Sequence, residues 1–182
     1  DKWEKKDPVM NDTRPERLVE SMEKTELVDL VESLLWQYRV IDAFWFLNVE
    51  KQYGLENAES INTTVWNKVG QLAARDIKKR FGIEEKGLAG FEKAMRYYSW
   101  KLMDCFDLEH RDGELIATSS NCPAQMGRLK HGLGEYACRD MHFHEFDSFA
   151  KEIDPDIVTE CVFAPPDPHP DDLFCKWRIY IP

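Results

Sequence analysis

The sequence predicts an α+β fold in which N-terminal helices pack on an antiparallel sheet of about four strands. Residues 26–102 carry apolar side chains at helical spacing, whereas residues 104–120 and 157–181 contain the alternation that is typical of strands. The chain has 182 residues, of which 43% are hydrophobic, so it is long enough for one domain with a substantial core. We predict a polar N-terminal arm at residues 1–23 and a single domain at residues 24–182. Its helical part is 24–103 and its sheet part is 104–182.

Three helices are predicted in the first half of the domain. The first begins after Thr25, a suitable N-cap residue, and ends at Gly54. The second covers residues 58–81 and ends at Gly82, and the third covers residues 88–102. The side chains expected to face the core are Leu27, Leu30, Val31, Leu34, Tyr38, Ile41 and Trp45 in the first helix, Ile61, Val65, Val69, Leu72 and Ile77 in the second, and Phe91, Met95 and Tyr98 in the third.

Strands and short helices are predicted in the second half. Asp112-Gly113 is a strong hairpin signal between two of the strands. Pro123 suits the first turn of a helix. The predicted strands are residues 104–110, 114–120, 157–163 and 173–181, and the predicted helices are residues 123–132 and 145–153.

The composition excludes several classes of protein. The formal net charge of −10 opposes binding to nucleic acid and to anionic membranes. No segment approaches the roughly 18 consecutive apolar residues of a membrane helix, and no signal peptide is recognisable. We therefore expect a soluble cytoplasmic protein without a nucleic-acid or membrane partner. Five cysteines are an odd number for a disulfide framework and indicate metal binding or catalysis instead.

The last two strands are predicted to bring two thiols together. A hairpin symmetric about Pro168 places Cys161 directly opposite Cys175 on the apolar, core-facing side. Opposed residues have Cβ atoms roughly 4.5–5.5 Å apart, which suits two ligands of one metal better than a disulfide.

Cys122 and Cys138 flank the predicted helix after Pro123 and are the candidates for two further thiolates. Four thiolates in a tetrahedron form a closed structural zinc site. The spacing C-x15-C-x22-C-x13-C contains no C-x2-C pair, so two alternatives stay open. The cysteines are small core residues, or they hold an iron–sulfur cluster. Cys105 stands apart and is expected to be a packing residue.

The C-terminal segment resembles the 4-vinyl-reductase-like domains. Thr159-Glu160-Cys161 and Asp172-Leu173-Phe174-Cys175-Lys176-Trp177 match the closing motif of that family. The resemblance implies that Cys138, Cys161 and Cys175 hold zinc beside an apolar pocket, which takes a small aromatic ligand in phenol-type sensors. The chain departs from the motif at Val158, where the family has a glutamate ligand, and at Asp171, where it has glycine. We therefore expect Cys122 as the fourth ligand, with Glu160 and His169 as substitutes.

Most of the chain is similar to the DUF6125-like family of uncharacterised bacterial and archaeal proteins. The likeness rests on Asp42-Ala43-Phe44-Trp45-Phe46 and on the loop from Pro165 to Pro170, and it implies no established activity. A more distant likeness, carried by the late cysteine and the Cys-x-aromatic ending, is to the L-2-amino-thiazoline-4-carboxylate hydrolase family.

Histidines and aromatic residues supply the remaining candidates. His142 and His144 are expected in an extended segment or exposed loop, and His169 in a rigid loop as a metal cap, general base or turn residue. The aromatic residues exceed the needs of one apolar stripe. They favour a dimer interface near Trp45 together with a pocket for a small apolar or aromatic molecule. The candidate lining residues of the pocket are Trp45, Trp100, Phe106, Phe146 and Phe149.

These observations predict a zinc-containing protein that binds or senses a small molecule. The alternatives are a hydrolase of amide or heterocyclic substrates, which uses a Cys–His pair or an open metal site, and an iron–sulfur protein. No catalytic residue is assigned.

Overall fold

The structure is a computed structural model that describes residues 18–182. Most of the predicted arm, residues 1–23, lies outside these residues. The chain divides into two compact units, one ending at Arg39 and one covering Val40–Pro182. All of the features discussed as a site belong to the second unit.

The predicted α+β class is confirmed. The sheet is antiparallel throughout and has the strand order β1-β2-β4-β3. The elements, in chain order, are α1 (Leu18–Ser21), α2 (Lys24–Tyr53), α3 (Leu55–Phe81), α4 (Gly87–Met95), α5 (Ser99–Leu102), β1 (Asp107–Arg111), β2 (Glu114–Ser119), α6 (Pro123–Lys130), α7 (Arg139–Ile153), β3 (Val158–Phe163) and β4 (Cys175–Tyr180).

A predicted helix end and a predicted hairpin turn are confirmed by their backbone conformation. Gly82 ends α3 in the left-handed region, with φ of 59°, and its N–H donates to the carbonyl of Lys78. Asp112 and Gly113 both have positive φ, which a tight hairpin between β1 and β2 requires.

The predicted inward face of α3 is mostly wrong, although Ile77 is buried as predicted. Ile61, Val65 and Leu72 are exposed, whereas the buried residues are Ala58, Asn62, Trp66, Gly70, Ala74 and Ile77. This buried stripe is mostly small, because α3 packs very closely against α7. A Cβ atom at Gly70 would lie 2.4 Å from the carbonyl oxygen of Glu145. Close helix approach therefore selects small residues that a count of apolar side chains overlooks.

The predicted inward face of α2 is also wrong. Ile41, Phe44 and Trp45 are exposed, and Phe46 is the residue of this helix that is buried. The polar Asp42 precedes Phe46 by one helical turn, and this polar residue interrupts the apolar pattern of the inward face.

The remaining helices differ from prediction mainly in their bounds. The predicted helix at residues 88–102 is split into α4 and α5, although Phe91, Met95 and Tyr98 are buried as expected. Helix α7 begins at Arg139, so His142 and His144 are helical and not in an extended segment or loop. The buried Glu145 breaks the apolar pattern of α7, which is why the sequence predicts only its second half.

The predicted register of the last hairpin is wrong. Cys161 pairs with Trp177, and the register shifts between Cys161 and Phe163 at a β-bulge. At Cys161 the pairing is offset by two residues from symmetry about Pro168, so Cys175 is not opposite Cys161. The predicted core-facing side of β4 is correct, because Trp177 and Ile179 are each 1% exposed.

The main core lies between the sheet and α3, α4 and α7. Its largest fully buried side chains include Phe91, Tyr98, Phe149 and Trp177. No helix in residues 18–182 combines the length and the apolar character that crossing a lipid bilayer demands.

Candidate functional site

A cavity of about 60 Å³ lies within the second unit. One water molecule occupies roughly 10–15 Å³ on this measure, so the cavity has room for several water-sized groups. Its lining residues come from α2, α3, α5, β2, α6, α7 and β4 and from the loops beside them. The aromatic lining residues are Trp66, Trp100, Phe106, Tyr136, Phe146, Phe174 and Trp177.

The aromatic walls are braced by contacts between rings. Trp66 and Trp100 lie 5.2 Å apart, measured between ring centroids. Phe146 contacts Phe106 at 5.8 Å and Trp177 at 5.5 Å, both in edge-to-face geometry. Such pairs are favourable beyond the area they bury, so the walls are held in defined positions.

A buried carboxylate also lines the cavity. Glu145 of α7 is 0% exposed, and its Oε1 accepts a hydrogen bond from the Tyr98 hydroxyl. Its Oε2 lies 2.7 Å from Nδ1 of His142, one helical turn earlier. The His142 ring also stacks on Phe146 at 5.6 Å. Both hydrogen bonds orient Glu145, and Glu145 in turn fixes the orientation of the imidazole.

Asp42 brings a second carboxyl group to the cavity from α2. Burial, together with the nearby Glu145, raises its pKa to about 6. A hydrogen bond from the Trp66 side chain and the charge of His142 oppose this rise. Asp42, His142 and Glu145 therefore form one electrostatically coupled group, which we name the acidic cluster.

Three of the four predicted metal ligands, Cys122, Cys138 and Cys175, line the same cavity. Cys122 is the N-cap residue of α6 and Cys138 that of α7. Cys175 begins β4 and pairs with Ser119 of β2. The starts of two helices and of one strand therefore bring three thiols to one site.

Burial keeps these thiols in their neutral form. It raises the pKa of Cys122, and the backbone N–H groups of Gln125 and Ala124 offset part of this rise. It also raises the pKa of Cys138, to which the nearby Cys122 contributes, and raises that of Cys175 to about 12. Gln125 is fully buried and donates a hydrogen bond to Sγ of Cys138 at 3.3 Å.

The other predicted ligands lie elsewhere. Cys161 is half-buried and does not line the cavity, and burial raises its pKa to about 11. Glu160 is exposed and pairs with Arg178, with an Oε2–Nη1 distance of 2.9 Å. His169 donates through Nδ1 to the carbonyl of Pro170, and its Nε2 lies 3.2 Å from Glu135. These two acceptors raise the pKa of His169.

No three His, Cys, Asp or Glu side chains in residues 18–182 are grouped so that they could hold a metal ion. The thiols of Cys122, Cys138 and Cys175 suit zinc in their chemistry. Their arrangement does not form a ligand set, and a bound metal would require these side chains to move.

Three of the five residues predicted for the pocket, Trp100, Phe106 and Phe146, line the cavity. Phe149 is fully buried in the core behind it, and its ring contacts those of Phe91 and Tyr98. Trp45 is 39% exposed and does not line the cavity.

His142 is a candidate from the sequence, whereas Asp42, Glu145 and Trp66 are not among the predicted site residues. Two signals were available. Asp42 stands alone among apolar residues in the middle of a helix, and His142 and Glu145 have the i, i+3 spacing that places them on one helix face. A buried polar residue is more informative than an exposed apolar one.

Comparisons with known proteins give one match. Neither the curated proteins nor the solved structures include a match to this chain. Residues 20–181 match the sequence profile of the Family of unknown function (DUF6125). This match covers most of the chain, including every residue of the acidic cluster and the cavity lining. The chain belongs to this family.

Proposed function

We propose that this chain binds a small molecule in the cavity. The observation that carries the proposal is a partly open cavity with braced aromatic walls and a few convergent polar side chains. This combination is typical of ligand sites in proteins. The resemblance of the C-terminal segment to the 4-vinyl-reductase-like domains supports the same role, because those domains hold an apolar pocket beside their cysteines.

The size of the cavity limits the ligand. A cavity of roughly 150 Å³ accepts benzene, whereas this one has about 60 Å³. At roughly 10–15 Å³ for each water-sized group, the cavity has room for about four to six such groups, so a compact ligand of about five non-hydrogen atoms is the upper limit. Because the best small ligands gain at most about 1.5 kcal/mol per non-hydrogen atom, the tightest dissociation constants are on the order of 10 μM.

Filling the cavity is expected to abolish binding. Ala117 is 3% exposed, lines the cavity and pairs with Trp177 across the sheet. Ala117→Met extends a flexible side chain into the space. Tetramethylammonium, tert-butanol and acetate are titrated separately to millimolar concentration while tryptophan fluorescence is recorded. We expect saturable binding of at least one probe to the parent protein and none to Ala117→Met.

Ala89→Met is the matched control, because Ala89 is exposed on α4. It should bind the probes as the parent protein does. The proposal is wrong if none of the three probes changes the fluorescence, or if Ala117→Met binds them as tightly as Ala89→Met.

A second candidate function is the binding of a metal ion by cysteine thiolates. The observation that favours it is the meeting of Cys122, Cys138 and Cys175 at one cavity. Cys122 and Cys175 each contribute to the raised pKa of Cys138, and Cys122 and Cys161 each contribute to that of Cys175. Binding of zinc would draw the thiols together and release their protons. An iron–sulfur cluster needs the same donors.

Metal content distinguishes these outcomes. We expect one metal ion per chain in protein purified without chelators, and its loss in Cys175→Ser. Cys105 also lines the cavity, but its Sγ donates to the carbonyl of Met103, so Cys105→Ser should keep the metal. A brown colour would identify a cluster and a colourless protein zinc. Equal metal content in both variants would contradict a site at Cys175.

The hydrolase alternative has less support from the cysteines. A nucleophilic cysteine requires a lowered pKa, whereas burial raises the pKa of Cys122, Cys138 and Cys175. A hydrolase would have to use the acidic cluster, which contains His142, instead.

The predicted dimer stays a prediction. Ile41 is 68% exposed and Phe44 is 63% exposed, so an apolar surface is available on α2. Such a surface is the kind that self-association buries.

A further inference from the structure

The charges around the cavity do not balance. Asp42 and Glu145 bring two carboxyl groups, and His142 is the one basic side chain that lines the cavity in residues 18–182. No lysine or arginine is among those lining residues. Arg128 contacts the ring of Tyr136, but it forms an ion pair with Glu50, with an Nη2–Oε1 distance of 3.1 Å. Two carboxyl groups therefore share one imidazole in a partly open and largely apolar space.

The two carboxyl groups are stabilised unequally. Glu145 has two partners, the hydroxyl of Tyr98 and the imidazole of His142. Asp42 receives a hydrogen bond from the Trp66 side chain, and this bond does not offset the cost of its burial. An ionised carboxylate in such surroundings is costly unless an opposite charge lies close to it. Asp42 is the group that a bound cation would stabilise.

The walls suit the same kind of ligand. Trp66, Trp100 and Trp177 line the cavity together with Phe106 and Phe146. The face of an aromatic ring attracts a cation within about 6 Å of its centroid, and tryptophan does so most strongly. Aromatic cages of this composition recognise ammonium groups that carry alkyl substituents.

We propose that the cavity binds a small alkylated ammonium ion, with the positive charge beside Asp42 and the alkyl groups against the aromatic walls. This inference rests on the proposed function and names the class of ligand.

Other ions fit the cavity less well. Calcium and magnesium require several oxygen ligands, whereas most of the lining is aromatic or aliphatic. An anion would meet the two carboxyl groups. A neutral molecule could fill the same space, but it would bring no positive charge to Asp42. An alkylated ammonium ion is the ligand whose charge and surface both match.

The state of Asp42 predicts how binding depends on pH. The groups that face it are Glu145 and His142 on α7, Trp66 on α3, and Tyr136 in the loop before α7. Since the pKa of Asp42 is about 6, this carboxyl group is ionised above pH 6 and protonated below it. Binding of a cation should therefore tighten as the pH rises from 5 to 7.5.

The experiment compares two probes of similar size and different charge, tetramethylammonium and tert-butanol. Both are titrated at pH 7.5 against the parent protein, Asp42→Asn and Asp107→Asn, with tryptophan fluorescence as the readout. Asp107 carries the control substitution because its side chain is 69% exposed. We expect tetramethylammonium to bind the parent protein and Asp107→Asn roughly tenfold more tightly than tert-butanol does. Asp42→Asn should lose about tenfold in affinity for the cation and keep its affinity for the alcohol.

The outcomes distinguish the binding of a cation from the binding of small molecules in general. Equal affinity for both probes, or unchanged cation affinity in Asp42→Asn, would overturn the inference while small-molecule binding stands. Absence of binding by both probes would overturn the inference, and absence of acetate binding as well would overturn the proposed function. Misfolding of Asp42→Asn is checked by its thermal unfolding. Loss of binding from a variant that unfolds at the parent temperature or above supports the inference.

Discussion

Asp42→Asn is expected to raise the free energy of unfolding at pH 7 by up to about 3 kcal/mol. The folded chain raises the pKa of this carboxyl group from 3.8 to about 6. Each pKa unit corresponds to about 1.4 kcal/mol, so the ionised group opposes folding by roughly this amount. Asparagine has nearly the same shape, keeps an oxygen that can accept the hydrogen bond from Trp66, and carries no charge.

The raised pKa of Asp42 also determines whether the free energy of unfolding rises or falls with pH. Between pH 3.8 and about 6 the folded chain holds the Asp42 proton more tightly than the unfolded chain does. The contribution of Asp42 to stability therefore falls as the pH rises through this window, and it is constant above the window. Asp42→Asn should remove this fall.

Urea denaturation at pH 4, 5, 6 and 7 measures the effect. The difference in unfolding free energy between Asp42→Asn and the parent protein should grow with pH and level off near pH 7. Asp107→Asn, which removes a charge from the exposed surface, should show no such growth. A destabilised Asp42→Asn at pH 7 would mean that the charge is already compensated in the folded chain.

Gly70→Ala is expected to lower the free energy of unfolding by about 2–3 kcal/mol. An added Cβ atom would lie 2.4 Å from the carbonyl oxygen of Glu145 and 2.6 Å from Oγ of Ser148. The carbonyl belongs to the backbone of α7, so it cannot rotate away and the two helices must separate. Because α7 carries His142 and Glu145, this separation should also weaken binding of the probes.

Gly127→Ala is the matched control for this substitution. Gly127 lies within α6, and an added Cβ atom would meet nothing within 4 Å. Alanine is the better helix former, so this variant should be more stable by about 0.5–1 kcal/mol. Urea denaturation of both variants gives the comparison. Similar stability of Gly70→Ala and Gly127→Ala would show that the α3–α7 contact is looser than the structure has it.

The fold class was predictable because its local signals agree with one another. The predicted N-cap Thr25 lies inside α2, which begins at Lys24. Gly54 follows the last residue of that helix, Asp112-Gly113 joins β1 to β2, and the alternation around Trp177 identifies β4. Each of these signals depends on a few neighbouring residues. Local sequence is sufficient where the conformation is decided locally.

The inward helix faces were not predictable from apolar periodicity. Gly70 and Ala74 are buried because α7 lies very close to α3, and a contact between distant segments leaves no apolar signal in either one. Glu145 is fully buried and Asp42 is largely buried, although both are acidic. Sites for ligands are where local rules are expected to fail, because the ligand completes the interactions.

The register of β3 and β4 was not predictable for a third reason. Symmetry about Pro168 predicts the pairing of Cys161 with Cys175, but the hairpin is offset by two residues and pairs Cys161 with Trp177. A shift of two residues keeps every side chain on its face, so the alternation of the strand does not reveal it. The cavity shared by Cys122, Cys138 and Cys175 depends on contacts between distant segments too.

The indole N–H signals of the tryptophans test the claim that the cavity takes a small organic cation most directly. Trp66, Trp100 and Trp177 line the cavity, whereas Trp36 and Trp45 are exposed and serve as internal references. Tetramethylammonium is added stepwise at pH 7.5 to ¹⁵N-labelled protein. We predict saturable shifts of the three cavity indoles with one common dissociation constant, and unchanged signals of the two exposed indoles. Unchanged cavity indoles, or shifts confined to Trp36 and Trp45, would contradict binding in the cavity.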